Sequence, residues 1–210
     1  MFFLLTILAI SGGIYAWRKK QQEEVQRIAA EGLLNFMLYD MRDKLTPMRR
    51  TDLLQSITDG AISYFAKFPA SDGSKDALRQ RATLFALLGD IRFGQNQLQA
   101  AEANYKSALE LRRILLRLNP GDSTNMHELW ATLQQMGALA MRYKKSDTAA
   151  RYFQEAADLA GHNQRDLATS LAALGGVAMV QGNTPLALQR KLSALANREA
   201  LVAVDSDIEN

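Results

Sequence analysis

The sequence is poor in three residue types that often carry chemistry or interrupt helices: its 210 residues include no cysteine, two histidines and four prolines. Without a thiol, the chain can form neither a disulfide bond nor a cysteine nucleophile. The few prolines, and the lack of any sustained alternation of apolar and polar residues, favour an all-α fold. A chain of this length in which 48% of residues are hydrophobic can bury the core of one helical domain.

The charge is only weakly biased, with 25 basic and 22 acidic side chains. Because the sequence has no basic stripe interleaved with aromatic residues, a nucleic-acid partner is not expected. His127 and His162 lack cysteine or carboxylate neighbours at the spacing of metal ligands, so each is interpreted as a surface or helix-end residue. The sequence has neither a phosphate-binding glycine loop nor a nucleophile elbow. We therefore predict no cofactor, no metal and no enzymatic activity.

The start of the chain, MFFLLTILAISGGIYAW over positions 1–17, contains no charged side chain. As a helix this run would extend about 25 Å, slightly less than the roughly 30 Å of a hydrocarbon core. A cleaved signal peptide and a buried helix are the alternatives, but the basic residues 18–20 follow the apolar run, whereas a signal peptide carries them before it. The pattern favours a transmembrane anchor over residues 1–17 of a single-pass membrane protein. The positive-inside rule places the soluble part in the cytoplasm.

Residues 18–68 combine charged and apolar residues in a helical pattern. We predict a juxtamembrane helix and, over residues 31–68, a divergent helical hairpin that caps the domain beyond it. The helix is interrupted at Thr46 and Pro47. Its apolar stripe also offers a surface for homo-oligomerisation, and the stripe consists of Leu34, Met37 or Leu38, Met41 and Leu45.

Beyond residue 75, one set of small and aromatic residues returns three times. Each glycine is followed at a constant interval by an alanine, and then by an aromatic residue and a second alanine, with Lys191 in place of the third aromatic. Two helices joined by a tight turn would cross most closely at the glycine, and the aromatic ring would fill the space beside it. The residues predicted to pack in this way are Gly89, Ala101, Tyr105 and Ala108; Gly137, Ala149, Phe153 and Ala156; and Gly175, Ala187 and Ala194.

This pattern resembles the tetratricopeptide repeat (TPR), a helix-turn-helix unit that stacks into a solenoid. The intervals from Gly89 to Gly137 and from Gly137 to Gly175 are unequal, and both exceed the usual TPR length of about 34 residues. Such long repeats resemble the kinesin-light-chain-like TPRs of many bacterial proteins. The resemblance implies an all-α fold in which an N-terminal transmembrane helix precedes a TPR-type helical-hairpin solenoid. Three repeats are expected within residues 75–205, at about 75–118, 125–160 and 165–204.

Residues 33–70 are similar to the segment that joins a membrane helix to TPRs in bacterial signalling proteins with a kinase, TIR or caspase-like domain. The similarity extends over about residues 1–125. It implies TPRs outside the cytoplasm, the opposite of the orientation that the positive-inside rule favours, because the signalling domain of those proteins is cytoplasmic. Taken together, the resemblances imply a membrane-anchored TPR scaffold that mediates protein–protein interaction, and they imply a bacterial inner membrane as its location. The alternative is a sensor or regulatory tail of a signalling protein whose catalytic domain is missing or encoded separately.

In TPR proteins the first helix of each repeat lines a concave groove. The register of this sequence places six candidate contact residues there: Asp90, Phe93, Gln134, Met141, Arg142 and Met179. The lysine and asparagine residues with which some TPRs hold a peptide carboxylate are missing at the matching positions. We therefore expect a protein or peptide partner that is bound chiefly through apolar side chains.

Overall fold

The computed structural model describes residues 13–23, 29–30, 32, 56, 60, 63, 75–161 and 163–208. Residues 13–23 are helical, and six long helices follow: α1 (Lys75–Gly94), α2 (Leu98–Leu118), α3 (Ser123–Arg142), α4 (Ser146–Ala160), α5 (Gln164–Val180) and α6 (Thr184–Ile208). No strand occurs in these residues, and the all-α prediction is confirmed. The chain divides into two compact units, Met1–Gln80 and Arg81–Asn210. The second unit contains α2 to α6 and most of α1.

The predicted transmembrane anchor is wrong, and the predicted localisation as a single-pass inner-membrane protein is wrong with it. Within the residues that the structure describes, none of the helices combines the length and the apolar character needed to cross a membrane. Of the predicted anchor, the structure describes residues 13–17, and they lie in a helix that continues through Arg18, Lys19 and Lys20, whose charged side chains are costly in hydrocarbon.

Two parts of the N-terminal predictions lie outside the described residues. These are residues 1–12 of the predicted anchor and most of the predicted hairpin over residues 31–68. The apolar stripe through which homo-oligomerisation is predicted, from Leu34 to Leu45, lies outside them as well.

Turns with one hydrogen-bond pattern join α1 to α2, α3 to α4 and α5 to α6. In each turn, three successive backbone amides donate to carbonyl groups in the last turn of the preceding helix, and the amides belong to residues 95–97, 143–145 and 181–183. The middle residue has a left-handed backbone, with φ of 61° at Asn96, 58° at Lys144 and 77° at Gly182. Glycine and asparagine suit this conformation best. The three turns therefore form three helical hairpins of like construction.

Side-chain caps fix the starts of α3 and α5. An oxygen of the Asp122 side chain accepts a hydrogen bond from the backbone amide of Asn125 at 3.0 Å. The side-chain oxygen of Asn163 accepts in the same way from the amide of Asp166 at 3.2 Å. Such caps satisfy backbone donors that a helix leaves unpaired at its first turn. They set where the side chains of the first turns of α3 and α5 lie.

An aromatic ring lies against the glycine in the first two hairpins. A Cβ atom added at Gly137 would lie 2.6 Å from Cζ of Phe153, and one added at Gly89 would collide with the ring of Tyr105. Glycine is therefore the residue that lets the two helices of each hairpin approach so closely. The alanines of the pattern are buried in all three hairpins: Ala101, Ala108, Ala149, Ala156, Ala187 and Ala194.

In the third hairpin, a lysine side chain rather than an aromatic ring packs against the glycine. A Cβ atom at Gly175 would lie 3.1 Å from Cγ of Lys191 and 3.2 Å from the carbonyl oxygen of Ala187. The aliphatic stem of Lys191 thus lies where the ring lies in the other two hairpins, while the residue as a whole remains exposed. Long charged side chains commonly cover apolar surface with their stems in this way.

Two hydrophobic clusters connect successive hairpins. The first joins α2, α3 and α4 and consists of Ala101, Tyr105, Leu109, Leu129, Leu133, Met136, Leu139 and Ala156. The second joins α3, α4 and α5 and consists of Ala140, Ala149, Phe153, Ala157, Leu174 and Val177. Because each cluster contains residues of two hairpins, each hairpin covers apolar surface of its neighbour.

Candidate protein-interaction surface

Side-chain hydrogen bonds connect α1, α3 and α5, the first helices of the three hairpins. Between α1 and α3, Oδ1 of Asp90 accepts from Nε2 of Gln135 at 2.8 Å. Between α3 and α5, Oγ of Ser170 accepts from Nε2 of Gln134 at 2.7 Å and from Nε1 of Trp130 at 2.9 Å. These bonds fix how the first helices sit beside one another, and they occupy polar groups that a ligand could otherwise contact.

Asp90 also accepts a hydrogen bond from within its own hairpin. The Tyr105 hydroxyl donates to Oδ1 of Asp90 at 2.8 Å, and Tyr105 is only 2% exposed. Burial, reinforced by the Asp90 carboxylate, raises the pKa of Tyr105 well above its ordinary value. Asp90 is therefore bonded to two residues of the fold, although the sequence places it among the groove candidates.

The raised pKa of Tyr105 leads to an expected loss of stability at alkaline pH. The pKa of Tyr105 is higher in the folded than in the unfolded chain. Its contribution to the free energy of unfolding is therefore fully present below a pH of about 10 and is lost as the pH rises above that value. The loss from this residue reaches at most about 1.4 kcal/mol per pH unit. Urea unfolding between pH 9 and 11 measures this loss. The free energy of unfolding of Tyr105→Phe should fall less steeply with pH than that of the wild type. Parallel declines would mean that Tyr105 is not the group responsible.

The structure brings two of the predicted groove residues together. Nη2 of Arg142 donates to the side-chain oxygen of Asn96 at 2.8 Å, and Cζ of Arg142 lies 5.7 Å from the centre of the Phe93 ring. This distance allows a cation–π interaction. The arrangement gives the ends of α1 and α3 a surface that is partly aromatic and partly basic.

The remaining groove candidates differ from one another in their surroundings. Gln134 is bonded to Ser170. Met141 is partly buried and packs against the second hydrophobic cluster, whereas Met179 is 49% exposed at the end of α5. A role in ligand contact for the six groove candidates stays a prediction.

A pocket of about 310 Å³ lies beside the hydrogen bonds between α3 and α5. This volume is at the lower end of the range for ligand pockets, roughly 300–1,000 Å³, and it suits a single large side chain. We name it the His127 pocket. It is lined by Ser123, Met126, His127 and Trp130 of α3, by Leu159 and Ala160 of α4, and by Gly161, Asn163 and Asp166.

The polar groups of the His127 pocket are bonded to one another. Nδ1 of His127 lies 2.8 Å from Oδ2 of the buried Asp166, and Nδ2 of Asn163 donates to the same oxygen at 2.8 Å. The His127 ring stacks on Trp130 with 5.2 Å between ring centres, and the Trp130 N–H is bonded to Ser170. The pocket therefore offers an occupant mainly apolar contact. In the described ranges, no group of three or more histidine and carboxylate side chains could hold a metal ion.

The sequence pattern does not predict the His127 pocket. His127 is interpreted there as a surface or helix-end residue, and its side chain is indeed 56% exposed. Its partner, Asp166, lies far along the chain on another hairpin. The sequence feature that indicates this site is the spacing of Met126, His127 and Trp130, which lie within about one turn of a helix. The pairing itself depends on how α3 and α5 lie side by side.

No protein-family model matches the sequence, and no curated protein matches it. Solved structures do resemble it. The crystal structure of BtubC (BKLC) from P. vanneervenii has a TM-score of 0.66 at 19% identity, over 81% of this chain and 64% of that chain. The crystal structure of the MamA protein has a TM-score of 0.45 at 13% identity, over 80% of this chain and 93% of that chain. The chain thus spans less than two thirds of the length of BtubC. The likeness to BtubC shows the fold, an all-α helical repeat of the TPR type.

Proposed function

We propose that this chain is a non-catalytic scaffold that binds a segment of a partner protein, with one apolar side chain of that segment in the His127 pocket. The observation that carries the proposal is the pocket itself, an apolar-walled space between α3 and α5 whose polar groups are bonded to each other. The TPR-type fold supports it, because stacked hairpins present several first helices on one extended surface.

The proposed binding surface follows the first helices of three repeats, at about 75–118, 125–160 and 165–204. Beyond the His127 pocket, the aromatic and basic surface formed by Phe93 and Arg142 and the exposed Met179 would add contacts along the partner segment. Methionine suits such a surface because its unbranched side chain adapts to different partners.

The anchor residue of the partner is expected to supply most of the affinity. Burial of one large apolar side chain contributes about 1.5–3 kcal/mol, and the Asp166 carboxylate is already paired with Nδ1 of His127 at 2.8 Å. Binding should therefore weaken only slightly as salt rises, since salt screens mainly exposed charges. The similarity of residues 33–70 to bacterial signalling proteins suggests that the partner belongs to a signalling system.

A peptide selection tests this proposal. Peptides displayed on phage are selected on the immobilised full chain, and the affinity of an enriched peptide is measured by fluorescence anisotropy. We expect the enriched peptides to share one large apolar residue. Met126→Glu should weaken binding by about ten-fold or more, because the bound side chain would desolvate the new carboxylate. An acidic residue in the first turn of α3 also suits the helix dipole, so the fold should be retained.

The matched control is Thr124→Glu. Thr124 lies in the same turn of α3, is exposed and does not line the pocket. This variant adds the same charge and should leave the affinity unchanged. Equal affinity of wild type and Met126→Glu, or enriched peptides without a shared apolar residue, would rule out the pocket as the anchor site.

A further inference from the structure

The capping residue Asn163 determines which atoms donate and which accept beside the His127 pocket. Its side-chain oxygen accepts a hydrogen bond from the backbone amide of Asp166 at 3.2 Å. Because the oxygen is used there, the other end of the amide group, Nδ2, is the atom that lies 2.8 Å from Oδ2 of Asp166. An amide nitrogen donates and does not accept. Oδ2 of Asp166 is therefore the acceptor in this contact.

The same oxygen fixes the position of the proton on the His127 ring. Nδ1 of His127 lies 2.8 Å from Oδ2 of Asp166. Asp166 lies in the first turn of α5, where the helix dipole favours an ionised carboxylate, and an ionised carboxylate only accepts. The hydrogen between the two atoms therefore belongs to Nδ1. Since a neutral imidazole carries one N–H group, Nε2 of neutral His127 is a hydrogen-bond acceptor.

Contacts with Trp130 hold the His127 ring in one orientation. The two rings stack with 5.2 Å between their centres, and Nε1 of Trp130 donates to Oγ of Ser170 at 2.9 Å. The Ser170 hydroxyl in turn donates to the backbone oxygen of Asp166 at 3.0 Å. The hydrogen-bond donors of Trp130 and Ser170 are thus used within the fold, and the imidazole is fixed before any ligand binds.

One nitrogen of the His127 ring remains available to a ligand. In the part of the chain that the structure describes, Nε2 has no hydrogen-bond partner. The residue lines the pocket, and its side chain is 56% exposed. An apolar group that covered Nε2 would remove its hydrogen bond to water and replace it with nothing, which is costly. The pocket therefore favours an occupant that combines apolar surface with one hydrogen-bond donor.

We propose that the side chain in the His127 pocket is a tyrosine whose hydroxyl donates a hydrogen bond to Nε2 of His127. The inference rests on the proposed function, because it specifies the anchor residue of the same partner segment. Tyrosine and tryptophan combine an aromatic ring with a donor. The pocket volume of about 310 Å³ favours the smaller of the two. Lysine and arginine also donate, but in a mainly apolar pocket each would lose the water around a full charge.

Two peptides that differ by one oxygen atom test the proposal. An enriched peptide from the selection described above is synthesised with tyrosine or with phenylalanine at its anchor position. The affinity of each labelled peptide for the full chain is measured by fluorescence anisotropy. We expect the wild type to bind the tyrosine peptide about three- to ten-fold more tightly than the phenylalanine peptide.

The variant His127→Phe keeps a ring in the pocket lining but has no nitrogen. We expect it to bind the two peptides equally. Any general weakening that the substitution causes affects both peptides and cancels in the ratio of their dissociation constants, so the ratio reports the hydrogen bond alone.

Nuclear magnetic resonance tests the position of the proton without a ligand. Long-range ¹H–¹⁵N correlations distinguish a protonated ring nitrogen from an unprotonated one, and they are recorded on the full chain at a pH of about 8, where histidine is ordinarily neutral. The chain has two histidines, His127 and His162, and the variant His162→Gln shows which signals belong to His127. We expect a protonated Nδ1 and an unprotonated Nε2.

Three results would overturn the proposal. One is equal affinity of the two peptides for the wild type, and another is a preference for tyrosine that persists in His127→Phe. The third is a proton on Nε2 instead of Nδ1, because Nε2 could not then accept. These results leave the proposed function standing. That function fails instead if Met126→Glu binds the peptides as tightly as the wild type does.

Discussion

Replacement of Phe153 by alanine is expected to lower the free energy of unfolding by about 3–5 kcal/mol. Phe153 is 6% exposed and its ring lies against Gly137, where α3 and α4 cross. It also belongs to the hydrophobic cluster that joins α3, α4 and α5. The variant would leave a cavity at a point where two hairpins meet, and the glycine beside it has no side chain with which to fill the space. Denaturant unfolding followed by circular dichroism measures the change.

The third hairpin supplies a matched control for Phe153. Lys191 is the equivalent residue in the register that aligns Gly175 with Gly137, and it is exposed. Lys191→Ala should cost less than about 1 kcal/mol, because only part of an aliphatic stem is lost. Similar costs for the two variants would show that the hairpins do not share the register described above.

Replacement of Arg112 by alanine should cost about 2–4 kcal/mol. Arg112 is 6% exposed and donates from α2 to the Glu128 carbonyl oxygen and to Thr132 Oγ1 on α3. Without the guanidinium, both oxygens lose a charge-assisted hydrogen bond between the hairpins, although Thr132 Oγ1 still donates to the Glu128 carbonyl oxygen at 3.1 Å. A hydrogen bond to a charged group contributes about 1.5–3 kcal/mol. The next residue provides the control, because Arg113 forms an exposed ion pair with Glu155 at 2.6 Å. Exposed pairs contribute about 0–1 kcal/mol, so Arg113→Ala should be nearly neutral in the same measurement, and equal costs would contradict this account.

The all-α, TPR-type fold could be predicted because its signal is local and repeated. A close helix crossing needs a glycine, and a small residue and a bulky residue must lie opposite it at fixed distances along the second helix. Those distances are the same wherever such a hairpin occurs, so Gly89 with Tyr105 and Gly137 with Phe153 stand out in the sequence. Lys191 interrupts the pattern without changing the hairpin, because its stem serves in place of a ring.

The surface was harder to predict because its contacts join residues of different helices. Asp90 has the position and charge of a ligand contact, yet Tyr105 and Gln135 both donate to it. Met141 packs against a hydrophobic cluster. His127 meets Asp166 only because α3 and α5 lie side by side. Hydrogen bonds of this kind depend on how each helix is rotated about its axis. The periodicity of the sequence indicates which face of a helix is buried, but it does not give the rotation precisely enough to pair individual side chains.

The transmembrane prediction was wrong for a different reason. The uncharged run over positions 1–17 is close to the length that crosses a membrane, and basic residues follow it directly, so its length and flanking charge both favour an anchor. Within the described residues, the helix over residues 13–23 contains Arg18, Lys19, Lys20 and Glu23. No helix among the described residues is both long and apolar enough to cross a membrane.

The most direct test of the proposed function uses the fluorescence of Trp130 inside the His127 pocket. The chain has two tryptophans, Trp17 and Trp130, so Trp17→Phe leaves a single reporter that lines the pocket. A selected peptide that lacks tryptophan is titrated into this variant, and the emission of Trp130 is compared with the anisotropy of the labelled peptide. We predict a saturable change in Trp130 emission with the same dissociation constant as the anisotropy. Binding by anisotropy with unchanged Trp130 emission would contradict the account, because the partner would then bind elsewhere.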